Sequence, residues 1–249
     1  MNLLLAAIIF TLTPDTQFGA KSNTIFFAGT LNNTGSLAIF LNDMQITATG
    51  LTGNTNAFFA NVPGILAPSG TYSDIVFAVT GSVAGDYSGT VTITGGTNIF
   101  DTTTLASESF QVTITETPFG AWQWQQFGTT NSSIAGDLAD PDADTSANAL
   151  EYALGLDPNT PDAGGLPFGE GDPSCDCLTL VYTKAHAATD VSYRIEGADD
   201  PGGAWTTNGI TETIIDADTL TMTIRARDAG NPFTVTGKRF LRLKVTQSP

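Results

Sequence analysis

Cationic residues, histidine and cysteine are what this chain has least of. Nine Lys and Arg stand against 25 Asp and Glu in 249 residues, a formal net charge of −16. A chain so acidic offers little counter-charge to a phosphate backbone or an anionic bilayer, which argues against nucleic acid and anionic membrane surfaces as partners. The single histidine, His186, lies in Lys-Ala-His-Ala-Ala-Thr between two apolar runs and reads as a solvated loop side chain. The sequence has neither a Gly-x-Ser-x-Gly elbow nor a phosphate-cradling glycine loop with a lysine, and its carboxylates are too common to single out an acid/base pair. The expectation is a protein that is not an enzyme. Two cysteines, Cys175 and Cys177, cannot close a zinc site. They leave a strained disulfide across one residue, an intermolecular pair, or two unlinked thiols.

No apolar run approaches the roughly 20 residues that a membrane-spanning helix needs, so no membrane span is expected. The apolar stretch Leu3-Leu-Leu-Ala-Ala-Ile-Ile-Phe10 has no Lys or Arg before it and no small-residue cleavage site before Thr13-Pro14. It reads as an N-terminal strand. An exposed apolar strand aggregates, so it belongs either in its own sandwich or in a neighbour's open sheet. The second arrangement would build a head-to-tail filament.

Charge is unevenly placed. Residues 1–117 carry seven acids and one base, Lys21; residues 118–177 carry ten acids and no base; residues 178–249 carry eight of each. The middle segment is a local negative well suited to a cation. Within it, Asp140-Pro-Asp142-Ala-Asp144-Thr-Ser146-Ala-Asn148-Ala-Leu-Glu151 places oxygen-bearing residues at positions 1, 3, 5, 7, 9 and 12 of a calcium-binding loop of EF-hand type. Ca2+ needs six to eight oxygens at about 2.3–2.6 Å. Alternate residues of a wound loop point inward, the Ser146 carbonyl serves position 7, Asn148 acts directly or through water, and Glu151 closes the shell with both oxygens. One position departs from the pattern: Thr145 stands where glycine normally supplies a positive φ. The competing reading is an acidic, solvated turn.

Short β-rich runs recur about every ten residues through the first part, at 8–13, 24–31, 38–41, 44–49, 72–79, 88–93 and 110–115, with Gly, Asn, Asp and Pro between them. Such a run of strands predicts an immunoglobulin-like sandwich with no helix in it. Residues 118–128, bounded by Pro118 and Gly128, predict a short helix, and 147–154, ended by Gly155 and Pro158, a second. Strands return at 178–183, 191–195, 220–227 and 240–245. In the last of these Leu241, Leu243 and Val245 share one face, and Arg242 and Lys244 the other, solvated one. The predicted fold is mainly β: two β-sandwich (Ig-like) domains, 1–117 and 166–249, joined by a helix–calcium loop–helix segment at 118–165. Trp122, Trp124 and Trp205 are candidates for stacking on a sugar ring, or for core packing.

The first part also carries a resemblance. Phe26-Phe27-Ala-Gly29-Thr30-Leu31-Asn32-Asn33-Thr34-Gly35, Phe40-Leu41-Asn42, Phe58-Phe59, Leu66-Ala-Pro68-Ser-Gly70-Thr-Tyr72 and Gly85-Asp-Tyr87-Ser-Gly89-Thr90 are similar to a domain of secreted bacterial proteins of the PEP-CTERM-associated type. That resemblance implies an exported, surface-associated protein and no activity. Phe119-Gly-Ala-Trp122, Phe127-Gly128 and the run Ala139 to Pro158, with its tail Glu151-Tyr152-Ala-Leu154-Gly155-Leu-Asp157-Pro158, resemble a calcium-loop module of bacterial extracellular proteins. This module looks like thrombospondin type 3 and dockerin-like loops, and it precedes a terminal β-domain in verrucomicrobial proteins. Two functions follow as expectations. One is a non-catalytic extracellular or cell-surface structural or assembly protein, stiffened by calcium and partnered by copies of itself or other surface proteins. The other is a carbohydrate-binding or accessory module of a polysaccharide-degrading system.

Overall fold

Alternating burial drives the chain into strands. A computed structural model describes residues 8–161, 164–172, 174, 176–231 and 238–248. The chain divides into two compact units, Met1–Ala121 and Trp122–Pro249. The first contains β1 (Ile8–Leu12), β2 (Thr16–Ala20), β3 (Thr24–Asn33), β4 (Ile39–Ala48), β5 (Leu51–Asn54), α1 (Asn56–Asn61), β6 (Ile65–Leu66), β7 (Thr71–Gly81), β8 (Gly85–Gly96) and β9 (Thr103–Thr115). Helix α2 (Pro118–Phe127) crosses the division. The second unit continues with α3 (Asn148–Leu154), β10 (Phe168–Asp172), β11 (Cys177–Ala185), β12 (Val191–Ala198), β13 (Thr211–Ala217), β14 (Thr221–Arg227) and β15 (Phe240–Gln247).

The strands of the first unit form two sheets, ordered β1-β3-β7-β5 and β2-β9-β8-β4-β6. Read as the strands of an immunoglobulin sandwich, the first is the A-B-E-D sheet, and β4, β8 and β9 are C, F and G of the other. The opening strand divides between the sheets: β1 pairs antiparallel with β3, then β2 crosses over and runs parallel to β9. Between the sheets, Phe27 of β3 and Phe77 of β7 stack at 4.7 Å, and Phe110 of β9 tilts against both at 5.1 and 5.2 Å. Buried Asn33 closes one end, its amide donating to the Leu37, Leu66 and Ala67 carbonyls.

Several elements differ from the pattern expected of the sequence. The expected strands at 38–41 and 44–49 are one strand, β4, because its register against β8 shifts between Leu41 and Asp43 rather than breaking. Asn42 sits at that irregularity, its amide donating to the Asn98 and Asp101 carbonyls. A short helix, α1, does interrupt the strands, anchored by buried Phe58. The apolar N-terminal stretch enters its own sandwich from Ile8, with Ile8 and Phe10 buried; residues 3–7 lie outside the described residues.

In the second unit, β10-β11-β14-β13 form one sheet and β12-β15 another. Leu180, Tyr182, Ile224 and Ala226 from the first sheet meet Ile195 from the second in a small core, with Leu241 and Leu243 packed at its margin. Leu241, Leu243 and Val245 turn inward as expected. Arg242 and Lys244 stay exposed on the other face, as expected. Several arginines of this unit are also engaged in ion pairs: Arg225 with Glu170, Arg227 with Asp172, Arg242 with Glu196, and buried Arg239 with buried Asp228. A core this small leaves much of the unit's cohesion to polar contacts.

Candidate metal centre

Winding of the acidic loop starts with its backbone. Ala143 and Thr145 both take positive φ, 61° and 81°. Thr145 therefore adopts the left-handed conformation that its position in the loop calls for, without glycine's freedom. Each aspartate fastens the winding by accepting a backbone N–H further along. Asp140 Oδ2 accepts from Thr145 at 3.0 Å, Asp142 Oδ1 from Asp144 at 3.2 Å, and Asp144 Oδ1 from Ser146 at 2.7 Å. The three carboxylates thereby bring one oxygen each within 4.8 Å of the others. That is the span of two ligands on opposite sides of an ion bonded at about 2.4 Å.

The floor of the loop is buried. Ser146, Asn148 and Glu151 expose 1%, 0% and 0% of their surface. Asn148 holds its amide nitrogen on the Ile134 and Gly136 carbonyls, at 2.8 and 2.9 Å, so its side-chain oxygen faces away from that turn. That oxygen, both oxygens of Glu151 and Asp142 Oδ2 are buried without a hydrogen-bond partner. A buried carboxylate with neither donor nor counter-ion is costly unless something cationic meets it. The Glu151 carboxyl is pushed up to about 7, first by burial and then by the Asp142, Asp144, Asp140 and Asp157 carboxylates. Asp142 is also raised, by burial ahead of the neighbouring acids, although the Asp144 N–H pulls it the other way. This donor set is all oxygen, carries four carboxylates and has no sulfur or imidazole, which fits a hard divalent cation.

Of the six expected ligand residues, Asp140, Asp142 and Asp144 are brought together, while Asn148 and Glu151 stand in the first turn of α3; Asp157 is an electrostatic neighbour of Glu151 that the spacing does not reveal. α2 ends at Phe127, and residues 132–138 form turns that deliver Asp140. These turns are pinned to α3 by the Asn148 N–H on Ala139 and the Ala149 N–H on Asp137. On the exit side α3 ends at Gly155, φ 76°, where the Leu156 N–H returns to the Glu151 carbonyl as in a Schellman motif.

Trp122 lies edge-on to Phe127 at 5.7 Å and tilts against buried Tyr152 at 5.5 Å, as part of the packing beneath the loop. Trp124 is half-buried in the same helix. Trp205 has the Arg242 guanidinium over its ring at 4.1 Å and donates its indole N–H to Pro201. Cys177 is fully buried and disulfide-bonded; Cys175 lies outside the described residues. Exposed His186 approaches the Asp218 carbonyl at 3.2 Å. No described helix is long and apolar enough to cross a membrane.

No family model and no curated protein matches the sequence. Among solved structures, the chain is similar to a fragment of Escherichia coli alpha-2-macroglobulin running from its MG7 domain to the C-terminus, at 19% identity and TM-score 0.34, over 46% of this chain and 17% of that one. It is also similar to the secreted serine protease VesC of Vibrio cholerae, at 10% identity and TM-score 0.32, over 98% of this chain and 51% of that one. A third likeness is to the CARDB domain of a Pyrococcus furiosus protein in complex with di-metal ions, at 14% identity and TM-score 0.26, over 46% and 95%. The chain spans less than a fifth of the first of these, and the functional reading rests on the site's own geometry.

Proposed function

We propose that this chain is a non-catalytic extracellular structural protein whose C-terminal unit is stabilised by one Ca2+ held by Asp140, Asp142, Asp144, Glu151, the Ser146 carbonyl and Asn148. The observation that carries the proposal is Glu151, fully buried with two unpartnered oxygens and within the electrostatic reach of three clustered aspartates. An acidic solvated turn does not bury a carboxylate, so the competing reading leaves Glu151 unexplained. A disulfide at Cys177 favours an oxidising compartment, and extracellular modules bind calcium at about 10⁻⁴–10⁻³ M, where free Ca2+ is plentiful. With a resemblance to exported bacterial proteins, these point to secretion or display at a bacterial surface. The strand that a donated-strand filament would use pairs from Ile8 to Leu12 with β3 of its own sheet, so assembly with other surface proteins would run through other faces.

Calorimetric titration with CaCl2 tests the reading. One site saturating in the millimolar range or below is expected for the wild type and a much weaker one for Glu151→Gln. Heat of dilution alone at several millimolar Ca2+ would overturn the assignment.

A further inference from the structure

The acidic loop and the C-terminal sheets share one short helix. α3 carries Asn148 and Glu151, both buried, and its Tyr152, Ala153 and Leu154 expose only 2%, 0% and 1% of their surface. The Tyr152 hydroxyl reaches the Asp190 carboxylate at 2.6 Å and the Ala187 carbonyl at 3.1 Å, both between β11 and β12. From β12 itself, the Tyr193 hydroxyl donates to the Ala153 carbonyl at 2.5 Å. The helix ends close against the sheet: a Cβ on Gly155 would meet Thr221 Cγ2 at 3.0 Å and the Ala185 Cβ at 3.5 Å.

Two turns of helix do not hold their shape unaided in water. α3 is therefore helical only while something holds it, and it has two supports: the acidic loop on one side and the β11–β12–β15 surface on the other. Glu151 and Tyr152 are adjacent in sequence, so any movement that takes Tyr152 off Asp190 also displaces the Glu151 carboxylate.

We propose that ion binding in the loop and the folding of β11, β12 and β15 are one thermodynamic unit coupled through α3. In this arrangement the cation clamps the C-terminal sheets as well as its own loop. The inference rests on the calcium reading of the site, but a separate measurement decides it. Amide hydrogen exchange of the full chain, in chelator and in calcium at one hundred times the calorimetric dissociation constant, gives the readout. Opening that must release the ion is suppressed by the factor 1 + [Ca2+]/Kd, so amides of β11, β12 and β15 are expected to exchange about 100-fold more slowly with calcium. Glu151→Gln is expected to abolish the slowing.

If calorimetry shows binding but only residues 140–151 gain protection, the coupling is wrong and the calcium site stands. Slowing of the strands that persists in Glu151→Gln also overturns the coupling, because the effect would not pass through this site. Absence of calorimetric binding removes the calcium reading and the coupling together.

Discussion

Replacing Glu151 by Gln separates two effects of opposite sign. In the ion-free chain the carboxyl sits at about 7 against an ordinary 4.5, so the fold favours its protonated form. Its contribution to stability is complete below pH 4.5 and is lost as the pH rises through 7. By pH 8 the ionised carboxylate disfavours the ion-free fold by on the order of 3 kcal/mol. Gln keeps the shape and removes the charge. In chelator at pH 8, Glu151→Gln is therefore more stable than the wild type, by at most about 3 kcal/mol, less whatever its own unpartnered amide costs. At pH 4 the two proteins converge. In calcium at one hundred times the dissociation constant the variant's lead is expected to close, because the wild type gains about 2.7 kcal/mol by mass action and the variant, lacking the two-oxygen ligand, gains much less. Urea unfolding followed by tryptophan emission is a suitable assay, since Trp122 packs on Tyr152 of α3. A variant less stable than wild type in chelator at pH 8, or one that keeps the full calcium response, would refute the reasoning.

Thr145→Gly removes a β-branched residue from a φ of 81°, so it is expected to tighten calcium binding by about fivefold, roughly 1 kcal/mol of relieved backbone strain; calorimetry showing weaker binding would count against the loop conformation. Phe77→Ala takes one ring from the Phe27–Phe77–Phe110 cluster and is expected to cost the first unit about 3–5 kcal/mol, read from its denaturation midpoint. Arg239→Ala leaves Asp228, with 0% side-chain exposure, without its cation; a loss of about 3–5 kcal/mol from the second unit is expected, and a change under about 1 kcal/mol would show that the pair contributes little.

Legibility in the sequence follows how local the determining physics is. The inward alternation of Leu241, Leu243 and Val245, the helix at 118–128 and the stop at Gly155 are set by residues within a few positions of each other, and all are present. β2 and β5 escaped because Thr16–Ala20 and Leu51–Asn54 have little apolar content; pairing with β9 and β7 makes them strands. β13 is exposed along its whole length, so no burial pattern announces Thr211–Ala217, and β14 supplies its register. The ion pairs of the second unit join residues such as Asp172 and Arg227, distant in sequence and adjacent only once β10, β11 and β14 have paired.

The candidate site divides in the same way. Ligand spacing is local, and the aspartate cluster at 140–144 can be read from it directly. Burial is not local. In sequence Glu151 is one acid among ten between residues 118 and 177, and an exposed carboxylate at that spot would say little about an ion. What changes its meaning is Tyr152 held by Asp190, Ala153 held by Tyr193, and Asn148 held by the turn at 134–136. These contacts drive α3 down until Glu151 has no access to water and no donor. A fold that buries a carboxylate at that cost in desolvation, beside three more, must recover it from a cation or from a proton. The carboxyl's displacement to about 7 describes the protein when only the proton is on offer. On the proposed calcium reading, the ion rather than the proton takes those oxygens at neutral pH.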